Sequence, residues 1–196
     1  MRAVQRVVGR ALPLDRANVD TDQIIPAHWL KRVERTGYGA GLFEAWRRDP
    51  AFVMNDLRYA GASILIAGAN FGSGSSREHA VWALDEAGFS AVIAPRLAEI
   101  FRANCLKSGL VPVELAADEV TKLLGRVQDD PRIEITIDVE RRTVEAPGLR
   151  ATFALDDHAH VRLLEGLDDI AVTLAHADEI TAYEAQRAAW LPSLRD

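Results

Sequence analysis

The fold is decided by the stretch Ala62-Ser63-Ile64-Leu65-Ile66-Ala67-Gly68-Ala69-Asn70-Phe71-Gly72-Ser73-Gly74-Ser75-Ser76-Arg77-Glu78-His79. Residues 62–67 have the length and branched side chains of a buried strand, and residues 80–87 favour a helix that ends at Gly88. A strand, a glycine-rich loop and a helix in this order can turn backbone N–H groups and a helix dipole toward one anion. We therefore predict an anion-binding site with Ser75, Ser76 and Arg77 as its polar side chains.

The same loop also has a purely structural interpretation. Ser75 and Glu78 fit a capping box, in which a serine hydroxyl and a glutamate carboxylate bind N–H groups at the start of a helix. Gly72 and Gly74 can serve only to allow positive φ angles in a tight connection. The adjacent hydroxyls and the cation favour anion binding, but the residues alone leave both interpretations open.

The bulk composition is that of an ordinary globular protein. The 196 residues are 48% hydrophobic and 27% charged, enough for one sizeable core. The formal net charge is −6 and no cluster of lysines and arginines offsets it, which disfavours a nucleic-acid partner. The sequence has no apolar run of about 18 residues and no signal peptide, so we expect a cytoplasmic protein without a membrane partner.

A single cysteine, Cys105, limits the chemistry of the chain. It excludes an internal disulfide, and also a cysteine-ligated zinc or iron–sulfur site built from this chain alone. Any such cluster must come from a partner. At its helical spacing Cys105 is better interpreted as a core residue than as a nucleophile.

The N-terminal half alternates strands and helices. Residues 3–14 predict one or two strands with a kink at Gly9, and residues 89–94 and 110–115 predict two further buried strands. Between those two, residues 96–108 predict a helix that ends at Gly109. Its predicted buried face consists of Leu97, Ile100, Phe101 and Cys105. This alternation predicts an α/β fold with parallel βαβ units and right-handed crossovers.

The pattern changes after residue 116. A short helix over 120–127 precedes a strictly alternating strand over 133–139, with which residues 142–145 and 151–155 can pair antiparallel. Helices are predicted over 158–167 and 178–190, the second with Asp178 as its N-cap. We see no repeat or linker and predict one domain over 1–196 with a C-terminal helical extension.

Two segments before the central strand are candidates for the site. Asp20, Thr21 and Asp22 lie in a polar stretch that fits turns and caps; a metal site is the alternative, but the glycine and distal glutamate of a calcium loop are absent. Three glycines around Tyr38 predict a mobile surface loop of the kind that acts as a lid, followed by a short helix over 42–48 with Phe43 and Trp46 turned inward. The histidines His158, His160 and His176 are interpreted as surface or cap residues.

Four motifs together resemble a known family. Asn70-Phe71-Gly72-Ser73-Gly74-Ser75-Ser76-Arg77-Glu78-His79-Ala80 resembles the signature of the swivelling domain of the aconitase superfamily. Three others resemble the small subunits of isopropylmalate dehydratase in particular: Asn18 to Pro26, Arg35-Thr36-Gly37-Tyr38-Gly39, and Ile100 to Pro112. The resemblance runs essentially from end to end.

The resemblance implies a fold, a partner and a reaction. The fold is a three-layer β/β/α swivelling domain, and the partner is a large subunit that holds a [4Fe–4S] cluster on its own cysteines. No cofactor is then bound by this chain. The two subunits together interconvert 2-isopropylmalate and 3-isopropylmalate in leucine biosynthesis, by losing and re-adding water through isopropylmaleate.

It also implies roles for individual residues. Ser75 matches the base that takes a proton from carbon, and Arg77 and Ser76 match positions that hold a substrate carboxylate beside the Gly74 backbone. Thr21 and Asp22 match a segment that lines the same cleft, where an orienting role for the neighbouring site residues is expected. A substrate-gating loop that selects the side group is expected to include Lys31, Arg32, Arg35, Gly37, Tyr38 and Gly39, with Arg32 and Arg35 as candidates for a second carboxylate-binding arginine.

Other functions stay open at this stage. A related hydro-lyase small chain acting on homoaconitate, citraconate or a methylthioalkyl malate would share the chemistry. A phosphate- or nucleotide-binding module is disfavoured, because Gly-Lys-Ser/Thr is missing and Arg77 replaces the small residue of a dinucleotide motif. A structural or regulatory role is the third alternative.

Overall fold

A computed structural model describes residues 1–34, 36–188 and 190–191. Its strands are β1 (Arg6–Gly9), β2 (Ala11–Leu14), β3 (Ile64–Ala67), β4 (Ala91–Ala94), β5 (Val111–Glu114), β6 (Ile135–Asp138), β7 (Thr143–Ala146) and β8 (Leu149–Thr152). Its α-helices are α1 (Thr21–Ile24), α2 (Glu44–Arg47), α3 (His79–Glu86), α4 (Glu99–Ser108), α5 (Ala117–Asp129), α6 (Asp157–Glu165), α7 (Asp169–Leu174) and α8 (Ala177–Ala185). Short 3₁₀ turns span Ala27–Lys31, Tyr38–Gly41, Val53–Asn55 and Leu57–Tyr59.

A parallel sheet with the strand order β2-β3-β4-β5 forms the centre of the molecule. Strands β3 and β4 are buried at every residue, as strands covered on both faces are. Pro13 and Pro112 lie on β2 and β5, the two edge strands, where a missing N–H breaks no ladder bond. Because the four strands are parallel, their carboxyl ends lie at the same edge of the sheet. Because they also follow one another in sequence, neighbouring ends belong to consecutive strands. The predicted α/β class and parallel βαβ core are confirmed.

A second sheet is antiparallel, with the order β1-β6-β7-β8. Strand β6 alternates buried and half-buried residues, so its predicted wet face is confirmed. Strand β8 pairs with β7 through the turn at Gly148, while the other side of β6 is taken by β1. The expectation that 151–155 pairs with 133–139 was therefore wrong, because the two-residue turn after Ala146 closes a hairpin with β7 instead.

Helix α5 joins the two sheets. It buries Val120, Leu123, Leu124 and Val127 and contacts β2 and β4 of the parallel sheet and β8 of the antiparallel one. In α4 the predicted buried face holds for Phe101 and Cys105, but Ile100 is 52% exposed. The helix begins at Glu99, so Leu97 precedes it, and Ile100 lies one position and about 100° from Phe101.

The C-terminal helices differ most from the prediction. Asp156 caps α6, α7 was not predicted, and α8 begins at Ala177 with Asp178 inside its first turn, so Asp178 is not an N-cap. Neither α7 nor α8 has a buried residue. Across the described residues, no helix combines the length and apolar character needed to cross a bilayer.

Candidate active site

The glycine-rich loop lies at the carboxyl edge of the parallel sheet, between two neighbouring segments. After β2, Asp20 forms a parallel bridge with Ser73, and after β4, Leu97 forms one with Phe71. The Thr21 N–H donates to the Ser73 carbonyl at 2.9 Å, and the Ala98 N–H donates to the Phe71 carbonyl at 2.9 Å. The loop is therefore held from both sides by main-chain bonds.

Its glycines adopt the conformations that the sequence predicted. Gly72 and Gly74 have φ angles of +79° and +92°, in the region that side chains disfavour. A Cβ on Gly72 would overlap the ring of Phe101, and one on Gly74 would lie 3.4 Å from the Cβ of Asp20. Asn70 also has a positive φ, of +61°, and its amide donates to the Asn18 side chain at 3.0 Å.

The predicted capping box at Ser75 was wrong. Helix α3 begins only at His79, and Glu78, at its N-cap, makes no side-chain capping bond. The Arg77 N–H instead donates to the Ser75 carbonyl at 2.8 Å, which turns the chain before the helix can start. In the described part of the chain, the N–H groups of Gly74, Ser75 and Ser76 donate to no protein acceptor, so they remain open to a ligand.

The polar side chains around this loop have different exposures. Ser75 and Ser76 are exposed, whereas the side chain of Arg77 is 19% exposed and forms an ion pair with Asp22. Thr21 is buried, and its hydroxyl donates to the Ser75 carbonyl at 3.2 Å. Thr21, Asp22 and residues 74–77 therefore lie together at one place on the surface.

Asp20 has the capping role that the turn interpretation predicted. Its carboxylate accepts from the Gln23 N–H at 2.8 Å, and the Gln23 side chain accepts from the Asp20 N–H at 3.0 Å. The two bonds form a capping box on α1. This short helix fixes the backbone from which Thr21 and Asp22 reach the glycine-rich loop.

The segment 31–41 is partly exposed and partly buried. Lys31 and Arg32 are exposed, and the Arg32 guanidinium lies 5.1 Å from the Trp29 ring centroid. Tyr38 is only 2% exposed, so the prediction of a surface loop was wrong at this residue. Gly37 has a φ of +88°, and the Gly39 N–H donates to Glu86 on α3. Arg35, the other predicted gating arginine, lies outside the described residues.

His79 is a residue to which the sequence patterns assigned no role. Its ring packs against Tyr38 and Trp82, with centroid distances of 5.2 and 4.7 Å. Burial lowers the pKa of His79, with Arg77 adding to the effect and Glu78 opposing it. A histidine two positions after Arg77, at the start of a helix, was the available signal.

The chain offers no ligand set for an iron–sulfur cluster within its described residues. No three side chains of histidine, cysteine, aspartate or glutamate converge there on a common point. Cys105 is fully buried in α4, and burial raises the pKa of its thiol well above the ordinary value. A cluster of the kind implied by the resemblance does not fit these residues.

Comparisons with known proteins find relatives over nearly the whole chain. The aconitase C-terminal domain matches residues 1–118, and the C-terminal domain of the 3-isopropylmalate dehydratase small subunit matches residues 169–194. A protein of Frankia casuarinae named 3-isopropylmalate dehydratase small subunit is 58% identical over 98% of this chain and 99% of its own length. Proteins of the same name from Streptomyces coelicolor and Rubrobacter xylanophilus are 55% and 52% identical over 98% of both chains.

A solved structure shows the same fold. The crystal structure of 3-isopropylmalate dehydratase (leuD) from Methanocaldococcus jannaschii is 25% identical, with a TM-score of 0.65, and the match covers 91% of this chain and 99% of that one. With relatives above 50% identity over nearly the full length, the chain belongs to the family of 3-isopropylmalate dehydratase small subunits.

Proposed function

We propose that this chain, with a large subunit, interconverts 2-isopropylmalate and 3-isopropylmalate by removing and re-adding water, in the cytoplasm and as a step of leucine biosynthesis. One observation carries the proposal: Ser75 lies exposed beside Arg77 and three open N–H groups, on a loop held from both sides. Such a surface can bind a dianionic substrate and move a proton. It does not surround the substrate, which agrees with a site completed by another chain.

Arg77 is the proposed carboxylate ligand. A guanidinium has five N–H donors in a planar fork, so Asp22 can hold one nitrogen while the others face a substrate carboxylate. Ser76 and the N–H groups of Gly74 and Ser76 lie next to it and can donate to the same or the second carboxylate. Asp22 then orients Arg77 without occupying all of its donors.

Ser75 is the proposed base. As the alkoxide, its Oγ would take the proton from the carbon next to the carboxylate while the neighbouring carbon loses hydroxide. The products are isopropylmaleate, the Ser75 hydroxyl and hydroxide, and the hydroxide becomes water when it takes up a proton within the assembled site. The reverse addition on the other carbon gives the isomer. A serine hydroxyl is a weak acid, so its anion needs stabilisation, for which the open N–H groups and Arg77 are the available donors. Because Ser75 is exposed in this chain, exclusion of water would come from the partner.

We assign the [4Fe–4S] cluster to the large subunit, because the described residues here offer no ligand set for it. When bound there, the cluster would supply a Lewis acid for the leaving hydroxyl. The part of this chain is to hold the carboxylate, place the base and, through the segment 31–41 with Lys31, Arg32 and Gly37, select the side group of the malate.

The test is an assay of the assembled pair. The chain is co-expressed with its large subunit, the cluster is reconstituted, and both isopropylmalates are supplied alongside homoaconitate, citraconate and a methylthioalkyl malate. We expect the isopropylmalates to be the preferred substrates and Ser75→Ala to lower kcat by about a thousandfold or more. Ser108→Ala, at the far end of α4, is the matched control and should behave as the unmodified chain. Near-normal turnover of Ser75→Ala with an intact cluster would refute the role of Ser75.

A further inference from the structure

Tyr38 attaches the segment 31–41 to helix α3. Its ring centroid lies 5.2 Å from that of His79, with the planes at 68°, and 5.5 Å from that of Trp82. One residue later, the Gly39 N–H donates to the Glu86 carboxylate at 3.0 Å. The segment is therefore fixed to both the first and the last turn of α3.

The same tyrosine also orders the exposed part of the segment. Its hydroxyl donates to the Glu34 carbonyl at 3.1 Å, across four residues. The Arg32 guanidinium lies 6.0 Å from the Tyr38 ring centroid and close to where a side chain on Gly37 would be. The positions of residues 32 and 34 consequently depend on where the Tyr38 ring rests.

His79 connects this anchor with the glycine-rich loop. It is the first residue of α3 and follows Arg77 by two positions, while its ring packs against both Tyr38 and Trp82. A displacement of the His79 ring would thus act on Tyr38 through packing and on Arg77 through the backbone.

The His79 ring is held by aromatic packing. It forms no ion pair with any described residue; its ring contacts are Tyr38 and Trp82, and the charges that act on it are those of its chain neighbours Arg77 and Glu78. Burial and the positive charge of Arg77 disfavour a positive charge on this half-buried ring, and Glu78 opposes them. Edge-on and tilted ring contacts of this kind stabilise a fixed arrangement.

We propose that His79 is a positioning residue. By holding Tyr38 against α3, it fixes the position of the substrate-selecting segment 31–41 relative to the glycine-rich loop that carries Ser75 and Arg77. The inference rests on the proposed function, because only that function gives the segment 31–41 and the glycine-rich loop a common substrate. The contact itself, between His79 and Tyr38, belongs to this chain alone. It can therefore be tested without the partner.

The first measurement is limited trypsin digestion of the full chain, because Lys31 and Arg32 are exposed cleavage sites within the segment. We expect His79→Ala to speed cleavage there by about five- to tenfold, as one to two ring contacts are lost. His79→Phe keeps a ring and should restore the slow rate. His158→Ala, a histidine exposed on α6, is the matched control and should have no effect.

The second measurement uses the assembled pair. For His79→Ala we expect KM for 3-isopropylmalate to rise about tenfold, and its preference over 3-methylmalate to fall by a similar factor, with kcat within about threefold. His79→Phe should rescue both. If His79→Ala fails to fold by circular dichroism, His79→Leu, which fills the same space without an aromatic ring, takes its place and should still raise cleavage at Lys31 and Arg32.

The outcomes separate the two proposals. Cleavage of a folded His79→Ala at the unmodified rate, or unchanged KM and substrate preference, overturns the positioning role. Faster cleavage together with an assembled pair that turns over neither isopropylmalate overturns the proposed function and leaves the coupling of the two segments in place.

Discussion

At the scale of single residues, Arg77 is the group whose chemistry is hardest to replace. Arg77→Lys keeps the charge but loses the planar fork, so it can no longer hold Asp22 and a carboxylate through separate nitrogens. We expect kcat/KM of the assembled pair to fall by roughly 10- to 100-fold while stability changes by less than about 1 kcal/mol, because the ion pair is partly exposed. Arg58→Lys, which alters a pair with Asp56 in the 3₁₀ turn before β3, should leave kinetics unchanged.

Thr21 gives a second prediction at this scale. Its buried hydroxyl bonds the Ser75 carbonyl, and valine has nearly the same shape without the donor. Thr21→Val should lower the unfolding free energy by about 1 kcal/mol and kcat by roughly tenfold, since the backbone under Ser75 loses a support. Urea titration and steady-state assays measure the two effects. Thr143→Val, at the other buried threonine on β7, should affect stability alone.

At the scale of elements, the glycine-rich loop depends on close contact with α4. Gly72 and Gly88 both have positive φ, but an added Cβ would overlap Phe101 at Gly72 and meet nothing within 4 Å at Gly88. Gly88→Ala should therefore cost about 1 kcal/mol for backbone strain alone, and Gly72→Ala about 2–4 kcal/mol. Urea midpoints give the difference. Equal costs would show that the Phe101 ring moves aside at no cost in free energy. If Gly72→Ala costs more, Phe101→Leu in that background should recover part of the lost unfolding free energy.

The junction of α3 with the segment 31–41 predicts a dependence on pH. Burial lowers the pKa of His79 in the folded chain, whereas the unfolded chain titrates near the usual value of about 6.5. Below that pH the unfolded state takes up a proton that the folded state resists, so the unfolding free energy falls as the pH is lowered. Above it the contribution is constant. Urea midpoints between pH 7.5 and 5.5 should therefore decline more steeply for the unmodified chain than for His79→Phe, and parallel slopes would contradict this.

The same elements show how far sequence reasoning reached. The buried strands, the positive φ of Gly72 and Gly74 and the clustering of Thr21 and Asp22 with Arg77 followed from local patterns or from motif resemblance. The start of α3, the pairing of β8 with β7 and the burial of Tyr38 did not, because each is decided by contacts that the local sequence pattern does not contain. Ser75 and Glu78 match a capping pattern in sequence. The Arg77 N–H nevertheless donates to the Ser75 carbonyl, and the helix begins only at His79.

At the scale of the whole molecule, the candidate site and the start of α7 lie at opposite ends of α4. Helix α4 begins beside the glycine-rich loop and ends about 15 Å away, where Lys107 lies 3.7 Å from Asp169 at the start of α7. Helix α6, by contrast, is tied to the N-terminal segment, since the Val4 N–H donates to the Leu163 carbonyl at 2.7 Å. We therefore propose one domain over residues 1–196, with 169–196 as an extension of it.

Truncation tests this organisation. Removing residues 169–196 deletes helices without buried residues and breaks the pairs of Asp169 with Arg162 and Lys107, so the unfolding free energy should fall by at most about 2 kcal/mol. Removing 157–196 also deletes the buried Leu163 and Ala159 and should abolish cooperative unfolding. Because the extension begins at the end of α4 opposite the glycine-rich loop, the shorter truncation should keep kcat/KM within about threefold once assembled. Loss of activity with folding intact would instead show that the large subunit binds at both ends of α4.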